Sequence, residues 1–324
     1  MRFVLSLLLL CSFAVQSAKL SGAAELSGIS RFIDEMVAKH QFRRDELEKV
    51  FAHAQHLPSV IEAISRPATT RPWPEYRAAF VNPKRIKLGL EFWNKYRQTL
   101  RRAEKKYGVP QEIIIAVIGV ETIYGRNAGS FLVLDALTTL AFDYPRRADF
   151  FRSELENYLL LAREQQFDLL TIRGSYAGAL GIPQFMPSSY RNYAVDFNGN
   201  HKIDLLREDR DAIGSVANYL QGYGWIRGEP VAARAQVGEE ICPGEIRTPR
   251  SMVEWAAAGV APGMNSAPDK AARLVDFTVE EGKEFWLAFN NFEVITRYNN
   301  SDFYAMSVFQ LAEELKAARK GGTP

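Results

Sequence analysis

Cysteine is scarce: Cys11 and Cys242 are the only two in 324 residues. Cys11 falls in an N-terminal apolar run, so a chain that sheds that run keeps Cys242 alone and can form no internal disulfide. Cys242 has neither a CxxC partner nor an obvious histidine beside it and reads as a quiet thiol. Net charge is also small, since 40 Lys and Arg against 38 Asp and Glu leave +2. That balance argues against a dedicated nucleic-acid binder. The densest basic run, Arg101-Arg102 with Lys105-Lys106, reads as a solvated helix face. Long hydrophobic runs are missing too: the stretch from Phe3 to Val15 is too short for a membrane span. Preceded by Arg2 and followed by small residues, it reads as an export signal with a cut after Ser17, which would leave a soluble periplasmic protein. Leu8, Leu9 and Leu10, rather than a small residue, precede Cys11, so lipid anchoring is the less favoured reading.

The remaining composition, 47% hydrophobic and 24% charged, is that of a chain able to bury a core, and its length suits two or three packed units. No internal repeat is visible. "ISRFIDEMVAKH" and "LEFWNKYRQTLRRAEKKYG" place apolar residues at three- and four-residue spacing, and Gly108 and Pro110 punctuate the end. Between them "SRPATTRPWPEYRAAFVNP" reads as a Pro-rich connector. Helical patterning resumes at Pro110 and runs through "DFFRSELENYLLLAREQQF", then gives way near Arg173 to Gly, Pro and scattered aromatics. "DRDAIGSVANYLQGYG" and "DFYAMSVFQLAEELKAA" predict two more helices. Between them, from about Glu229 to Tyr298, lie the β-like runs "PVAARAQV", "AARLVDFTV" and "FEVITRY". The expected fold class is mainly α (α+β), with a small β-containing unit inserted late.

One carboxylate stands out. Glu121 follows an unbroken apolar run from Ile113 to Val120, where a charge is costly. Pro110 suits the first turn of a helix and Gly125 its stop, which puts Glu121 in or near the last turn. Desolvation and the negative helix end would both raise its pKa. A carboxylic acid kept protonated near neutrality is what general-acid cleavage of a glycosidic bond needs. The competing reading is a core glutamate paired with Arg146 or Arg147.

A second feature is the loop "DFNGNHKID", where Asp196, Asn198, Asn200 and Asp204 alternate with the carbonyl of Lys202 available between them. Such spacing curls oxygens around a hard cation, as in an EF-hand. The sixth position, usually Gly, is His201, and the twelfth, usually Glu, is Arg207. The alternative is a loop held by its own Asx turns.

The run "GVETIYG", with "DYPRRADFF", "GSYAGALGIPQFMPSSYRNYAVDFNGN" and "DAIGSVANYLQGYGW" in order, resembles the membrane-bound lytic transglycosylase B family, the family 3 lytic transglycosylases of bacterial cell walls. The likeness extends from "PWPEYRAAFVNPKRIKLGLEFW" to "ITRYNNSDFYAMSV". It implies a lysozyme-like core at 107–227, carrying the acidic loop. It also implies a helical domain at 18–106 completed by the C-terminal helix 302–319, and a small β-containing domain at 228–301. The implied reaction cleaves the β-1,4 bond between N-acetylmuramic acid and N-acetylglucosamine without water, giving a 1,6-anhydromuramoyl end, with Glu121 as single acid/base. No second carboxylate is implied, although Asp135, Asp143 and Asp149 follow in sequence. Carried over one by one, Ser175 orients the reacting sugar and Gln184 hydrogen-bonds in the cleft. Tyr76, Tyr219, Tyr298, Asn299 and Tyr304 line it, and Arg146 and Arg147 face anionic peptide or lactyl carboxylates. Leu180, Phe185 and Met186 are expected to be packing residues. Family members bind calcium in the acidic loop, with a structural role. Here one extra residue makes Asp211 the closing carboxylate, with Glu208 and Asp209 as rivals. No cofactor is implied for catalysis. The expected partners are peptidoglycan glycan strands, with other cell-wall synthases or hydrolases open and no nucleic acid, and a monomer is expected. The alternatives are a muramidase that adds water and a non-catalytic scaffold that keeps the cleft.

Overall fold

Helix α7 (Gln111–Thr122) is apolar on every side, and each residue from Ile113 to Val120 is buried. A helix without a polar face has to lie inside the protein. Four helices surround this one: α5 (Pro83–Lys95), α6 (Arg97–Tyr107), α11 (Asp209–Gly222) and α14 (Asp302–Gly321). The computed structural model describes residues 28–66, 71–238, 248–263 and 269–321. The export signal, Cys11 and Cys242 lie outside the described residues, among which no helix is long and apolar enough to cross a membrane.

The chain starts with α1 (Ile29–His40), α2 (Arg44–His53) and α3 (Pro58–Ser65). These lie against α8 (Val133–Asp143) and α9 (Ala148–Gln165), with Phe32 edge-on to Phe142 at 5.9 Å and His40 bonded to Glu156 at 2.6 Å. The buried polar groups Asp135 and Thr139 of α8 accept from the backbone N–H groups of Gln55 and Leu57, which satisfies them.

The Pro-rich connector is a correction: Trp73–Phe80 forms helix α4. Its prolines occupy the cap and first turn, where no intrahelical N–H is needed, while Trp73 and Tyr76, three apart, bury one face. The long pattern after it breaks at Tyr96 into α5 and α6, and α6 ends on left-handed Gly108.

A two-residue pairing of β1 (Phe131–Leu132) with β2 (Arg173–Gly174) ties the start of α8 to the Gly-rich segment. Helix α10 (Pro187–Tyr193) follows and leads into the acidic loop. The late unit contains β3 (Ala232–Val237), β4 (Arg250–Ser251), helix α12 (Met252–Ala257), β5 (Val260–Pro262), β6 (Ala271–Val279) and β7 (Gly282–Ala288). The five strands form one antiparallel sheet in the order β4-β6-β7-β3-β5. A small apolar cluster of its own, centred on Trp255, Leu274 and Leu287, backs the sheet.

"FEVITRY" is not a strand. It falls in helix α13 (Asn290–Thr296), whose Phe292, Val294 and Ile295 are buried. Tertiary packing overrides the β preference of its branched residues. Buried Asn291 fixes this helix by bonding the backbone of Ile226 and Glu229.

Candidate active site

Glu121 sits in the last turn of α7, two residues before the chain turns left-handed at Ile123. The hydroxyl of Tyr304, from α14, donates to Glu121 Oε1 at 2.5 Å. Burial pushes the Glu121 carboxyl up to about 7, and the Tyr304 bond pulls against that rise by stabilising the ionised form. Among the described residues Glu121 forms no ion pair, so the reading of a core glutamate paired with Arg146 or Arg147 is set aside.

Four tyrosines feel the Glu121 charge: Tyr76, Tyr219, Tyr298 and Tyr304. Tyr304 is stacked on Tyr298 with rings 6.3 Å apart and 15° from parallel, and Tyr298 lies 4.8 Å from Tyr219 of α11. Tyr298 and Tyr219 spend their hydroxyls on the carbonyls of Pro183 (2.7 Å) and Arg297 (2.6 Å), which locks their rings. Tyr76, from α4, is pushed up to about 12 by burial and then by the Glu121 charge. The result is a half-buried acid enclosed by aromatic faces and phenol edges, a surface suited to sugar rings.

Gln184 lies between Pro183 and Phe185, which both touch these tyrosines, and Ser175 precedes it on the same Gly-rich segment. Ser175 Oγ accepts from the N–H groups of Ala177 (3.2 Å) and Ala179 (3.0 Å), closing a tight turn and leaving its own proton to donate. Gln184 stands in a left-handed conformation, φ 51°, with Nε2 donating to Ala128 O (3.0 Å) and Gly181 O (2.9 Å). Its amide oxygen is left as an acceptor. Leu180 and Phe185 are buried beneath it and Met186 is half-buried, as packing residues should be.

Asn299 is exposed next to Tyr298. Arg146 and Arg147 are exposed on a 3-10 turn, Pro145–Arg147, with the Arg147 guanidinium 4.2 Å over the Phe150 ring. Among the described residues neither arginine bonds to Glu121 or to the four tyrosines. The acids that follow Glu121 in sequence are engaged elsewhere: Asp135 with Gln55 N, Asp143 with His56 and Asp149 with Arg152.

The acidic loop is held from both ends. Asp196 accepts from the N–H groups of Gly199, Asn200 and His201, and Asn198 and Asn200 accept from the N–H two residues on. His201 takes φ 67°, the left-handed backbone for which an EF-hand loop uses Gly. Asp211 is fully buried under the loop and accepts from Phe197, Asn198 and Asp204 N–H groups. Burial, and then the nearby Asp196 charge, push it up. Of the rivals, Asp209 is turned away to Tyr96 and Lys95, and Glu208 stands at the cap of α11. Among the described residues no three His, Cys, Asp or Glu side chains gather as a metal cluster, so amide and carbonyl oxygens would have to complete any shell.

Three residues at the site escaped the sequence reading. Thr122 Oγ donates to Ile182 O at 2.7 Å and accepts from Gly125 N at 2.9 Å, joining the end of α7 to the Gly-rich segment. Tyr124 turns back into the core, and Arg85 is buried in the apolar stripe of α5 with Gly89, Phe92 and Trp93. An arginine at helical spacing within a buried stripe was the available signal for the last of these.

Residues 25–313 match the family described as transglycosylase SLT domain. The chain is 44% identical over 299 residues to membrane-bound lytic murein transglycosylase B of Escherichia coli K12, covering 89% of this chain and 82% of that protein. It superposes on the soluble lytic transglycosylase SltB1 of Pseudomonas aeruginosa with a TM-score of 0.85, at 47% identity over 90% of this chain and 99% of that one. The Escherichia coli lytic transglycosylase Slt35 in complex with calcium gives a TM-score of 0.86 at 44% identity, over 91% of this chain and 95% of that one.

The raised Glu121 pKa carries a stability signature. With a carboxyl near 4.5 when unfolded and about 7 when folded, the folded state holds the extra proton between these values, so stability falls as pH rises through that window. Glu121→Gln removes this loss, and its unfolding free energy at pH 8 should exceed that of the unmutated protein by roughly 1–3 kcal/mol. Urea denaturation at pH 8 and at pH 4.5 measures it. Equal stability of the two proteins at pH 8 would mean that the carboxyl is not destabilised by burial.

Proposed function

Because the chain belongs to the transglycosylase SLT domain family and is a lytic murein transglycosylase, an enzyme that cleaves peptidoglycan, we propose that Glu121 is its single acid/base. The observation that carries this is a carboxyl raised to about 7, bonded to a phenol and with no carboxylate partner among the described residues. A two-carboxylate hydrolase would need a second acid at about 5–9.5 Å.

In the proposed reaction, protonated Glu121 gives its proton to the bridging oxygen of the β-1,4 bond between N-acetylmuramic acid and N-acetylglucosamine. The substrate's 2-acetamido group stabilises the cation left at C1. Glu121, now a carboxylate steadied by the Tyr304 hydroxyl, takes the proton of the muramoyl 6-hydroxyl as that oxygen closes on C1. The 1,6-anhydro bond forms, the acid is restored and no water is consumed.

Ser175 and the free Gln184 oxygen orient the reacting sugar. Tyr76, Tyr219, Tyr298, Tyr304 and Asn299 form the cleft around it. Arg146 and Arg147, outside the tyrosine cluster, meet anionic lactyl or peptide carboxylates further along the strand. The protein acts on glycan strands in the periplasm as a monomer. Two of its relatives are named membrane-bound and soluble respectively, so membrane attachment differs by name within the family.

Calcium in the acidic loop is also part of this reading, as a structural ion. Asp196, Asn198, Asn200, the Lys202 carbonyl and Asp211 would hold it. The support is the left-handed His201 and the buried Asp211, which bonds the loop backbone from beneath and feels the Asp196 charge. With two amides in place of carboxylates, binding is weaker than in a fully acidic loop.

Glu121→Gln should lower release of soluble muropeptides from purified sacculi by about 10²–10⁴-fold while sacculus binding is kept. Undiminished release would remove Glu121 from the reaction. Millimolar calcium should raise Tm by about 2–4 °C over a chelated sample. Asp211→Asn should abolish that difference, and identical melting curves for the unmutated protein with calcium and with chelator would refute the ion site.

A further inference from the structure

Arg85 is a cation, only 8% exposed, that has no carboxylate partner among the described residues. Burying an unpaired guanidinium is costly, so its placement calls for a compensating role. It lies at the negative end of α7. Its Nη1 donates to Gly119 O and, at 3.4 Å, to Val120 O, the carbonyl of the peptide that joins Val120 to Glu121. Nη2 donates to Ala79 O at 3.2 Å, and the guanidinium lies 5.3 Å over the Phe80 ring.

The same arginine is clamped from behind. Three consecutive residues after the helix, Ile123, Tyr124 and Gly125, take φ of 52°, 59° and 80°. For β-branched Ile123 this is a strained backbone. The turn sends the Tyr124 ring back along α7, where its hydroxyl donates to Arg85 O at 3.0 Å. Two glycines open the slot: a Cβ on Gly89 would lie 2.4 Å from Tyr124 Oη, and one on Gly119 would lie 2.6 Å from it. Arg85, Tyr124 and the glycine notch therefore form one wedge between α5 and the last turn of α7.

We propose that Arg85 is a positioning residue for Glu121: it fixes the peptide that carries the acid and so sets where its carboxyl stands for both proton transfers. This rests on the reading of Glu121 as acid/base. The other groups facing the pair are phenols: Tyr76 from α4, Tyr219 from α11, Tyr298 and Tyr304 around the start of α14, and Tyr124 from the turn. The ion pair of α14 Lys316 with α7 Glu112, and Gln111 bonded to α6 Glu104, lie at the opposite end of α7, roughly 13 Å away along its axis. Arg126 is exposed beyond the turn.

The test is the measurement of kcat and KM on a soluble glycan substrate. Arg85→Gln should lower kcat by about 10–100-fold with KM little changed, as misplacement of a reacting group does. Arg85→Lys keeps a donor toward the α7 carbonyls without the planar fork, so it should recover part of kcat. An unchanged kcat in Arg85→Gln, or a fall in kcat matched by a comparable rise in KM and not recovered by Arg85→Lys, would overturn the proposal. If Arg85→Gln does not fold, Tyr124→Phe decides: a several-fold fall in kcat at unchanged KM supports the wedge, and unchanged kcat overturns it. A Glu121→Gln enzyme that still turns over would instead defeat the acid/base reading beneath it.

Discussion

A carboxyl group at the end of an apolar helix, bonded to a single phenol, is the constraint around which the rest of the molecule is arranged. Desolvation makes the charged form expensive, and the Tyr304 bond returns part of that cost. Between them the acid is poised near neutrality, where it can both give and take a proton. Helices α5, α6, α11 and α14 supply the apolar surroundings, and three of the four tyrosines come from α4, α11 and α14. The site is thus assembled from distant parts of the chain, and the fold of each part bears on the same proton.

The arrangement is locally unfavourable, as functional sites often are. A half-buried acid, a buried arginine without a counter-ion among the described residues and a left-handed isoleucine occur close to one another in space. Thr122, bonded to Ile182 and Gly125, and Tyr124, bonded to Arg85, hold the strained turn in place. The large apolar core around α7 supplies the stability that makes this tolerable.

Much of the helical frame could be read from periodicity. "ISRFIDEMVAKH" is α1, and the start of α7 follows from Pro110, while its end falls at left-handed Ile123, before the expected stop at Gly125. Two of the three β-like runs are β3 and β6. The failures have physical causes: the prolines before Tyr76 sit where a helix accepts them, and the branched residues of α13 are held helical by burial and by Asn291. At the site, Glu121 was legible because a lone acid ends an apolar run. That Tyr304, 183 residues away, is its partner was not legible from local pattern, nor was Arg85, whose role depends on how α5 crosses α7. The acidic loop was legible as an oxygen-rich turn, but the burial of Asp211 beneath it depends on α11.

The most direct test of a single acid/base that closes the substrate on itself is mass spectrometry of the muropeptides released from purified sacculi. The account predicts products lighter than the corresponding reducing muropeptides by one water, since the muramoyl 6-oxygen replaces the leaving sugar. Reducing ends as the main product would contradict it, because water would then be the nucleophile and a second catalytic group would be required.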